Sequence, residues 1–130
     1  MNIQFSGKTA LVTGAAQGFG RAIAQALTAR VAKVWVCDLL AEELAETVRM
    51  CREAGGDCTA RTVNVTDREA VGALVAEAGP IDILVNNAGG VLGQVGRPLE
   101  EITPQQWQAI FDVNVTAAFY CCLLYTSRCV

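Results

Sequence analysis

The sequence has 130 residues, of which 52% are apolar, so it is long enough for one domain with a hydrophobic core. Its net charge of −3 and its lack of a lysine or arginine cluster exclude nucleic acid and an anionic membrane surface as expected partners. No apolar run approaches the roughly 20 residues of a membrane span and no signal-peptide layout is present, so we expect a cytoplasmic protein.

The six cysteines are expected to be reduced packing residues. They form no Cys-x-x-Cys pair, and the chain contains no histidine. Three of them fall within the strand and helix patterns described below, which argues against a disulfide framework and against a metal site.

The first predicted strand, residues 8–13, leads into a glycine-rich turn of sequence TGAAQGFG over residues 13–20. Its three glycines allow positive φ and close approach of an anion, and the helix that follows offers unpaired N–H groups. The spacing Gly-x-x-x-Gly-x-Gly is a variant of the dinucleotide fingerprint, and Arg21-Ala22 after the turn excludes a phosphate-loop NTPase. The turn predicts a pyrophosphate site, with a ligand-free glycine loop as the alternative.

The first helix is predicted to bury one apolar stripe and to end near Arg30 without the usual glycine, since Val31 and Ala32 follow. The predicted stripe is Phe19, Ala22, Ile23, Ala26 and Leu27.

The second strand, residues 33–38, is apolar until it ends at Asp38, the position at which dinucleotide folds place the acid that binds the adenosine ribose. A carboxylate repels a 2′-phosphate, and the neighbouring Gln17 and Leu39 supply no phosphate-binding arginine. This favours NAD over NADP. The alternative is that Asp38 only caps the next helix.

The rest of the chain continues the alternation. A helix with Ala41, Leu44, Val48 and Cys51 facing inward stops at Gly55-Gly56, and a polar strand over 57–64 is typical of a sheet edge. A capping box over 66–69 opens a third helix, whose inner residues are Val71, Leu74, Val75 and Ala78. A fourth strand over 81–86 and a fourth helix capped by 103–106 follow. The pattern predicts an α/β doubly wound parallel sheet.

Two further features lie near the expected crevice. Residues 86–89, Asn-Asn-Ala-Gly, follow the fourth strand. They either bind a ligand at the carboxyl edge of the sheet or simply form a turn, for which Asn and Gly are common residues. Asn114 falls on the predicted inner stripe of the fourth helix, so its amide needs hydrogen-bond partners. It either ties down a loop backbone or holds a water or a base in an active site. That stripe is Trp107, Ile110, Phe111, Asn114, Val115 and Ala118.

In this order and spacing, the glycine turn, Asp38, residues 86–89 and Asn114 resemble the short-chain dehydrogenases/reductases, including members like the 3-oxoacyl-carrier-protein reductases. The resemblance covers nearly the whole chain and implies a Rossmann domain of about four strands in the order 3-2-1-4. It places Asn114 in the catalytic group. The cofactor-binding residues it implies are Gly14, Gln17, Gly18, Phe19, Gly20, Asp38, Asn64, Val65, Asn87, Ala88 and Gly89.

The resemblance also implies a catalytic Ser and a Tyr-x-x-x-Lys pair. The pair is absent, since Lys8 and Lys33 are the only lysines, and Ser127 has no matching context. We therefore expect a truncated NAD(P)-binding domain over 1–120 and an aberrant or disordered tail over 121–130. Because the apolar fourth strand is unlike an edge, the residues independently favour truncation.

The expected function is the N-terminal cofactor-binding part of an oxidoreductase that interconverts a secondary alcohol and a ketone, itself inactive. Its parent would act on a small-molecule substrate, for which an acyl-thioester ketone, a sugar alcohol and a steroid are three open alternatives. The parent would form a dimer or tetramer through the fourth and fifth helices. The alternatives are a non-catalytic nucleotide-binding or regulatory module and an interaction domain without a ligand.

Overall fold

The computed structural model describes residues 2–126. Strands and helices alternate along the chain, and the last two α-helices are joined by a π-helical turn. The elements are β1 Thr9–Thr13, α1 Gly18–Thr28, β2 Lys33–Asp38, α2 Ala41–Glu53, β3 Asp57–Thr62, α3 Arg68–Ala78, β4 Ile83–Val85, a 3₁₀ turn Leu99–Glu101, α4 Pro104–Phe111, the π-helical turn Asp112–Thr116 and α5 Ala117–Thr126.

The four strands form one parallel sheet in the order β3-β2-β1-β4, which confirms the predicted topology. One face packs on α1 and α2 through a cluster that includes Val12, Val34 and Leu44. The other face packs on α3 and α5 through Leu11, Trp35 and other apolar side chains. The sheet is therefore covered on both sides, as its apolar central strands require.

The predicted edge strand β3 does lie at an edge, although it ends at Thr62 rather than at residue 64. The fourth strand is shorter than the predicted 81–86, and it occupies the other edge in the described part of the chain.

The capping prediction is confirmed for α4 and wrong for α3. In α4, Gln106 N–H donates to Thr103 Oγ1 at 3.2 Å, and Thr103 N–H donates to Gln106 Oε1 at 3.0 Å. In α3, the N-cap is Asp67, whose Oδ1 accepts the first-turn N–H groups. Thr66 does not cap the helix because its hydroxyl donates instead to Asn64.

The predicted stripe of α1 is wrong at three of its positions. Phe19 is 85% exposed, and Ala22 and Ala26 are also exposed. The buried residues of the helix are Gly20, Ala24, Leu27 and Thr28. Helix α1 begins in close contact with the turn after β1, where only the glycine at position 20 fits, and the adjacent Phe19 lies outside.

The long C-terminal helix differs from prediction in phase and in length. Trp107, Phe111 and Val115 expose about half of their side chains, so the predicted inner stripe faces outward. After the π-helical turn, which shifts the phase of the helix, Ala117 and Cys121 are buried against the α3 side of the core. The helix then continues to Thr126, so an irregular tail is not found over 121–126, and residues 127–130 lie outside the described residues.

Together these segments make one helix, Pro104–Leu124, that could cross a membrane by length and composition alone. It is not an uninterrupted apolar run, because Gln105, Gln108 and Asp112 lie within it. Since Ala117 and Cys121 bury one side of this helix in the domain core, we interpret it as part of the domain.

The predicted missing glycine cap of α1 has a visible consequence. Ala32 N–H donates to the Leu27 carbonyl at 3.2 Å and Val31 N–H to the Thr28 carbonyl at 3.0 Å, which is a Schellman closure. Val31 therefore takes a left-handed φ of 59°, a strained conformation for a β-branched residue.

We expect Val31→Gly to stabilise the chain by about 1 kcal/mol, because glycine adopts this conformation without strain. Urea unfolding monitored by circular dichroism measures the change. Gly55 already closes α2 with a φ of 84°, so Gly55→Val is the matched reverse substitution and should destabilise the chain. A Val31→Gly variant with an unchanged or lower urea midpoint would contradict the expectation.

Candidate functional site

A crevice opens at the carboxyl ends of the strands, where β1 lies between β2 and β4. It encloses a cavity of about 360 Å³. Seven of the predicted cofactor-binding residues line it: Gly14, Gln17, Asp38, Val65, Asn87, Ala88 and Gly89. This is the switch point at which open α/β sheets bind ligands.

The floor of the crevice is a close backbone contact between the turn after β1 and the turn after β4. Gly14 has a φ of +64°, and a Cβ on it would lie 2.7 Å from Ala88 Cα. Asn87 Nδ2 donates to the Gly14 carbonyl at 2.9 Å. The buried Thr13 hydroxyl accepts the N–H groups of Asn87 at 3.1 Å and of Ala88 at 3.0 Å. The amide of Asn87 is therefore a structural tie as well as a crevice residue.

The glycine turn ends at an open helix N-terminus. Helix α1 begins at Gly18, whose φ is +56°, and Gln17 is its N-cap residue. Among the residues that the structure describes, no side chain caps this helix, and its first turn contains no acidic residue. The first-turn N–H groups and the positive end of the helix dipole thus remain for an anion.

Asp38 stands at the end of β2 and joins the turn to the start of α2. Its Oδ2 accepts the Ala16 N–H at 3.0 Å, and its Oδ1 accepts the N–H groups of Leu39 at 2.7 Å and Leu40 at 3.2 Å. Leu40, not Asp38, is the N-cap residue of α2. An ionised carboxylate has about four acceptor positions, so Asp38 retains capacity for a ligand hydroxyl.

Asn64 and Val65, the predicted adenine contacts, have different environments. Asn64 Oδ1 accepts from the N–H and the hydroxyl of Thr66, so this side chain shapes its own turn. Val65 is 8% exposed and lies at the boundary between the crevice and the core beneath it.

Asn114 lies in the π-helical turn rather than on a buried stripe, and its residue is exposed. Its Nδ2 donates to the carbonyls of Gly90 at 2.6 Å and Ile110 at 2.8 Å, and its Oδ1 accepts the Gly90 N–H at 3.0 Å. A Cβ on Gly89 would lie 2.5 Å from Asn114 Oδ1. Of the two roles considered from the sequence, tying down a loop backbone is therefore realised in this structure.

Asn114→Ala should loosen the backbone at Gly90, because two hydrogen bonds to one residue are lost at about 1 kcal/mol each. Amide hydrogen exchange at Gly90, followed by NMR, should become faster than in the unchanged chain. Gln108→Ala removes an exposed hydrogen bond to Asp112 on the same helix and is the control. Equal protection of Gly90 in the two variants would contradict the assignment.

The thiol next to the crevice is not a nucleophile. Burial raises the pKa of Cys37 to about 12, and the nearby Cys121 and Asp38 act in the same direction. The side chain therefore stays protonated at neutral pH. Within residues 2–126, no group of three or more cysteine, aspartate or glutamate side chains is placed to hold a metal ion.

Sequence reasoning missed several residues that shape the site. Leu92 and Val113 line the crevice from the loop after β4 and from the π-helical turn, and no pattern in the sequence distinguishes them. Thr13 was detectable in principle, since it is a hydroxyl residue at the end of a buried apolar strand. Of the predicted residues, Gly18, Phe19, Gly20, Asn64 and Asn114 do not line the cavity itself.

The family model described as short chain dehydrogenase matches residues 8–128. The chain is 38% identical to 2,3-dihydro-2,3-dihydroxybenzoate dehydrogenase of Bacillus subtilis over 119 residues, which cover 87% of this chain and 44% of that protein. It thus spans about half the length of the curated relatives it matches.

Solved structures of dehydrogenases and oxidoreductases also resemble this chain. A dehydrogenase/reductase from Sinorhizobium meliloti 1021 superposes with a TM-score of 0.91 at 34% identity, covering 97% of this chain and 51% of that one. A metagenomic short-chain oxidoreductase in complex with NADP superposes with a TM-score of 0.87 at 33% identity, covering 95% of this chain and 57% of that one.

Proposed function

Since the chain belongs to the short-chain dehydrogenase family, we propose that it is the cofactor-binding part of an NAD(P)-dependent oxidoreductase that interconverts a secondary alcohol and a ketone. The single observation that carries the proposal is the crevice, where an uncapped helix N-terminus, a glycine floor and the Asp38 carboxylate meet. These three parts suit the diphosphate, the close approach of the backbone and the ribose hydroxyls of one dinucleotide.

We propose that successive parts of the crevice bind successive parts of the dinucleotide. The turn of Gly14, Gln17, Gly18, Phe19 and Gly20 would hold the diphosphate through main-chain N–H groups, with the exposed Phe19 at its rim. Asp38 would bind the adenosine ribose, Asn64 and Val65 would lie by the adenine, and Asn87, Ala88 and Gly89 along the adjacent ribose. When bound, the nicotinamide supplies the hydride-transferring carbon.

Asn114 is proposed as the contribution of this chain to the catalytic group, acting through the Gly89–Gly90 backbone that it holds. The expected Ser and Tyr-x-x-x-Lys are absent from the 130 residues. Hydride transfer needs a positioned acid or base, so we expect the chain alone to show little or no turnover.

We propose NAD as the preferred cofactor. One compared structure holds NADP, so family membership alone does not select between the two. The support comes from this chain: Asp38 places a negative charge at the end of β2, and Gln17 and Leu39 beside it carry no positive charge. A 2′-phosphate would meet that carboxylate at close range.

The exposed outer face of the long helix supports assembly of the parent as a dimer or tetramer. Trp107 and Phe111 stack with ring centroids 5.1 Å apart, and Val115 and Phe119 extend the same apolar face. Faces of this kind mark protein interfaces in water-soluble proteins. We propose the cytoplasm as the location.

The substrate is proposed only as a small molecule with a secondary alcohol or ketone. An acyl-thioester ketone would fit the likeness to 3-oxoacyl-carrier-protein reductases, whereas the similar Bacillus subtilis protein is named for a dihydroxylated ring acid. Leu92 and Val113 give the crevice an apolar end that suits either carbon skeleton.

A non-catalytic nucleotide-binding or regulatory module is the second candidate, because the same crevice could hold a nucleotide without any chemistry following. Sequencing the gene beyond residue 130 separates the two. A Tyr-x-x-x-Lys pair in the continued frame supports the enzyme, and an intact frame without one supports the module.

The proposal is tested by titrating the 130-residue chain with NADH and following the nicotinamide fluorescence. Saturable enhancement that NAD competes away is the expected result. No change at millimolar NADH, from a chain that circular dichroism shows to be folded, would contradict the proposal and favour an α/β interaction domain without a ligand.

A further inference from the structure

A buried threonine and a neighbouring arginine hold the glycine turn from behind. Thr47 of α2 is 0% exposed, and its hydroxyl donates to the Ala15 carbonyl at 2.8 Å. Arg21 of α1 donates from Nε to the same hydroxyl at 2.9 Å, and from Nη2 to the carbonyls of Ala16 and Glu43. Neither residue lines the crevice.

These contacts complete the hydrogen bonding of two consecutive residues of the turn. Ala15 N–H donates to the Cys37 carbonyl at 3.2 Å, and its carbonyl accepts from Thr47. Ala16 N–H donates to Asp38 Oδ2 at 3.0 Å, and its carbonyl accepts from Arg21. Every main-chain polar group of Ala15 and Ala16 is therefore bonded to β2, to α2 or to Arg21, and one of these bonds ends on Asp38.

We infer that Thr47 and Arg21 are positioning residues for cofactor selection: by fixing Ala15 and Ala16, they hold the Asp38 carboxylate where it binds a ribose 2′-hydroxyl and opposes a 2′-phosphate. This inference rests on the proposed function. It assigns the preference between NAD and NADP to a pair outside the crevice as well as to Asp38.

The chemistry of the pair supports such a role. The buried Thr47 hydroxyl accepts from Arg21, and its nearest acceptor is the Ala15 carbonyl at 2.8 Å, with the carbonyls of Ala16 and Glu43 at 3.3 and 3.2 Å. It therefore ties α2 to the turn through main-chain groups of both. The guanidinium of Arg21 donates from Nε to the hydroxyl and from Nη2 to two carbonyls. These bonds hold Arg21 outside the lining of the crevice, where an arginine would attract a 2′-phosphate.

The test compares Thr47→Val with Thr47→Ser in the 130-residue chain, using fluorescence titration with NADH and with NADPH. Thr47→Val keeps the shape and removes the hydroxyl, so we expect NADH affinity to fall about tenfold and NADPH affinity to change less than about twofold. Thr47→Ser keeps the hydroxyl and should keep the ratio of the two affinities. Equal losses for both cofactors, or an unchanged ratio in Thr47→Val, would overturn the inference.

Arg21→Gln is the second variant, for the case in which Thr47→Val does not fold. Its control is Arg30→Gln, since Arg30 lies on the same chain segment and its guanidinium donates to the Ala26 carbonyl, remote from the turn. The ratio of NADH to NADPH affinity should fall in Arg21→Gln and should stay unchanged in Arg30→Gln. If the unchanged chain binds no NADH, the proposed function fails and the inference with it. If the unchanged chain binds NADH but Arg21→Gln and Arg30→Gln give the same ratio of NADH to NADPH affinity, only the inference fails.

Discussion

Gly20→Ala is expected to destabilise the chain by about 3 kcal/mol or more and to abolish NADH binding. A Cβ on Gly20 would lie 2.1 Å from the Gly14 carbonyl oxygen and 2.6 Å from Asn87 Nδ2. The first of these is backbone, so relief requires moving α1 away from β1. That movement would also break the 2.9 Å hydrogen bond from Asn87 to Gly14. Urea unfolding and NADH titration measure the two effects.

Gly72→Ala is the matched control because Gly72 also lies in a helix, and its added Cβ would find only a leucine methyl group at 3.9 Å. Alanine is the better helix former by about 1 kcal/mol, so this variant should be neutral or more stable. A Gly20→Ala chain that unfolds at the urea midpoint of the unchanged chain would contradict the close approach of α1 to the turn.

The fold was predictable because its strongest signals are local and agree with one another. The apolar run of β2 ends at Asp38 as predicted, and the glycine turn separates β1 from α1 where the periodicity changes. Alternating strands and helices predict a doubly wound parallel sheet, and the strand order is what the resemblance to the short-chain dehydrogenases/reductases implies. The crevice followed from that order, because parallel strands bring their carboxyl ends to one edge.

Helix phase was not predictable in the same way. In α1, small and apolar residues occur on adjacent stripes, and only the close contact at Gly20 decides that Ala24 rather than Ala22 faces the sheet. In the long helix, the π-helical turn at Asp112–Thr116 inserts a phase shift that a regular periodicity does not anticipate. The stripe counted from Trp107 is exposed already in α4, which has no buried residue, and the phase shift then brings Ala117 and Cys121 into the core.

Side chains that act through the backbone were also hidden from sequence reasoning. Thr47 is a polar residue on an apolar helix face, but its partner, the Ala15 carbonyl, is 32 residues away. The sequence indicates that Asn114 needs a hydrogen-bond partner, because a polar residue there interrupts an apolar pattern. It does not indicate which partner, because Gly90 belongs to a loop without periodicity. The sequence identifies such a group as needing a partner, and only the structure supplies the partner.

Asp38→Ala is expected to change the ratio of NADH to NADPH affinity by on the order of 100-fold in favour of NADPH. The carboxylate lies at the crevice, and a 2′-phosphate there would be repelled by roughly 2–3 kcal/mol through a partly screened contact, which corresponds to that ratio. The variant also loses the bond from Ala16 and those from Leu39 and Leu40, so some stability should be lost as well. Asp38→Asn removes the charge while keeping an acceptor oxygen, and it should shift the ratio with less loss of stability.

Asp57→Ala removes the same charge at the opposite end of the neighbouring strand β3 and serves as the control for net charge. Fluorescence titrations with both cofactors at one ionic strength give the three ratios, because screening by salt would otherwise alter them. A ratio that shifts as far in Asp57→Ala as in Asp38→Ala would assign the effect to net charge. If the ratio of NADH to NADPH affinity stays unchanged in both Asp38 variants, the adenosine ribose does not lie at the end of β2. Asp38 can discriminate between the two cofactors only when the ribose 2′-position lies beside its carboxylate.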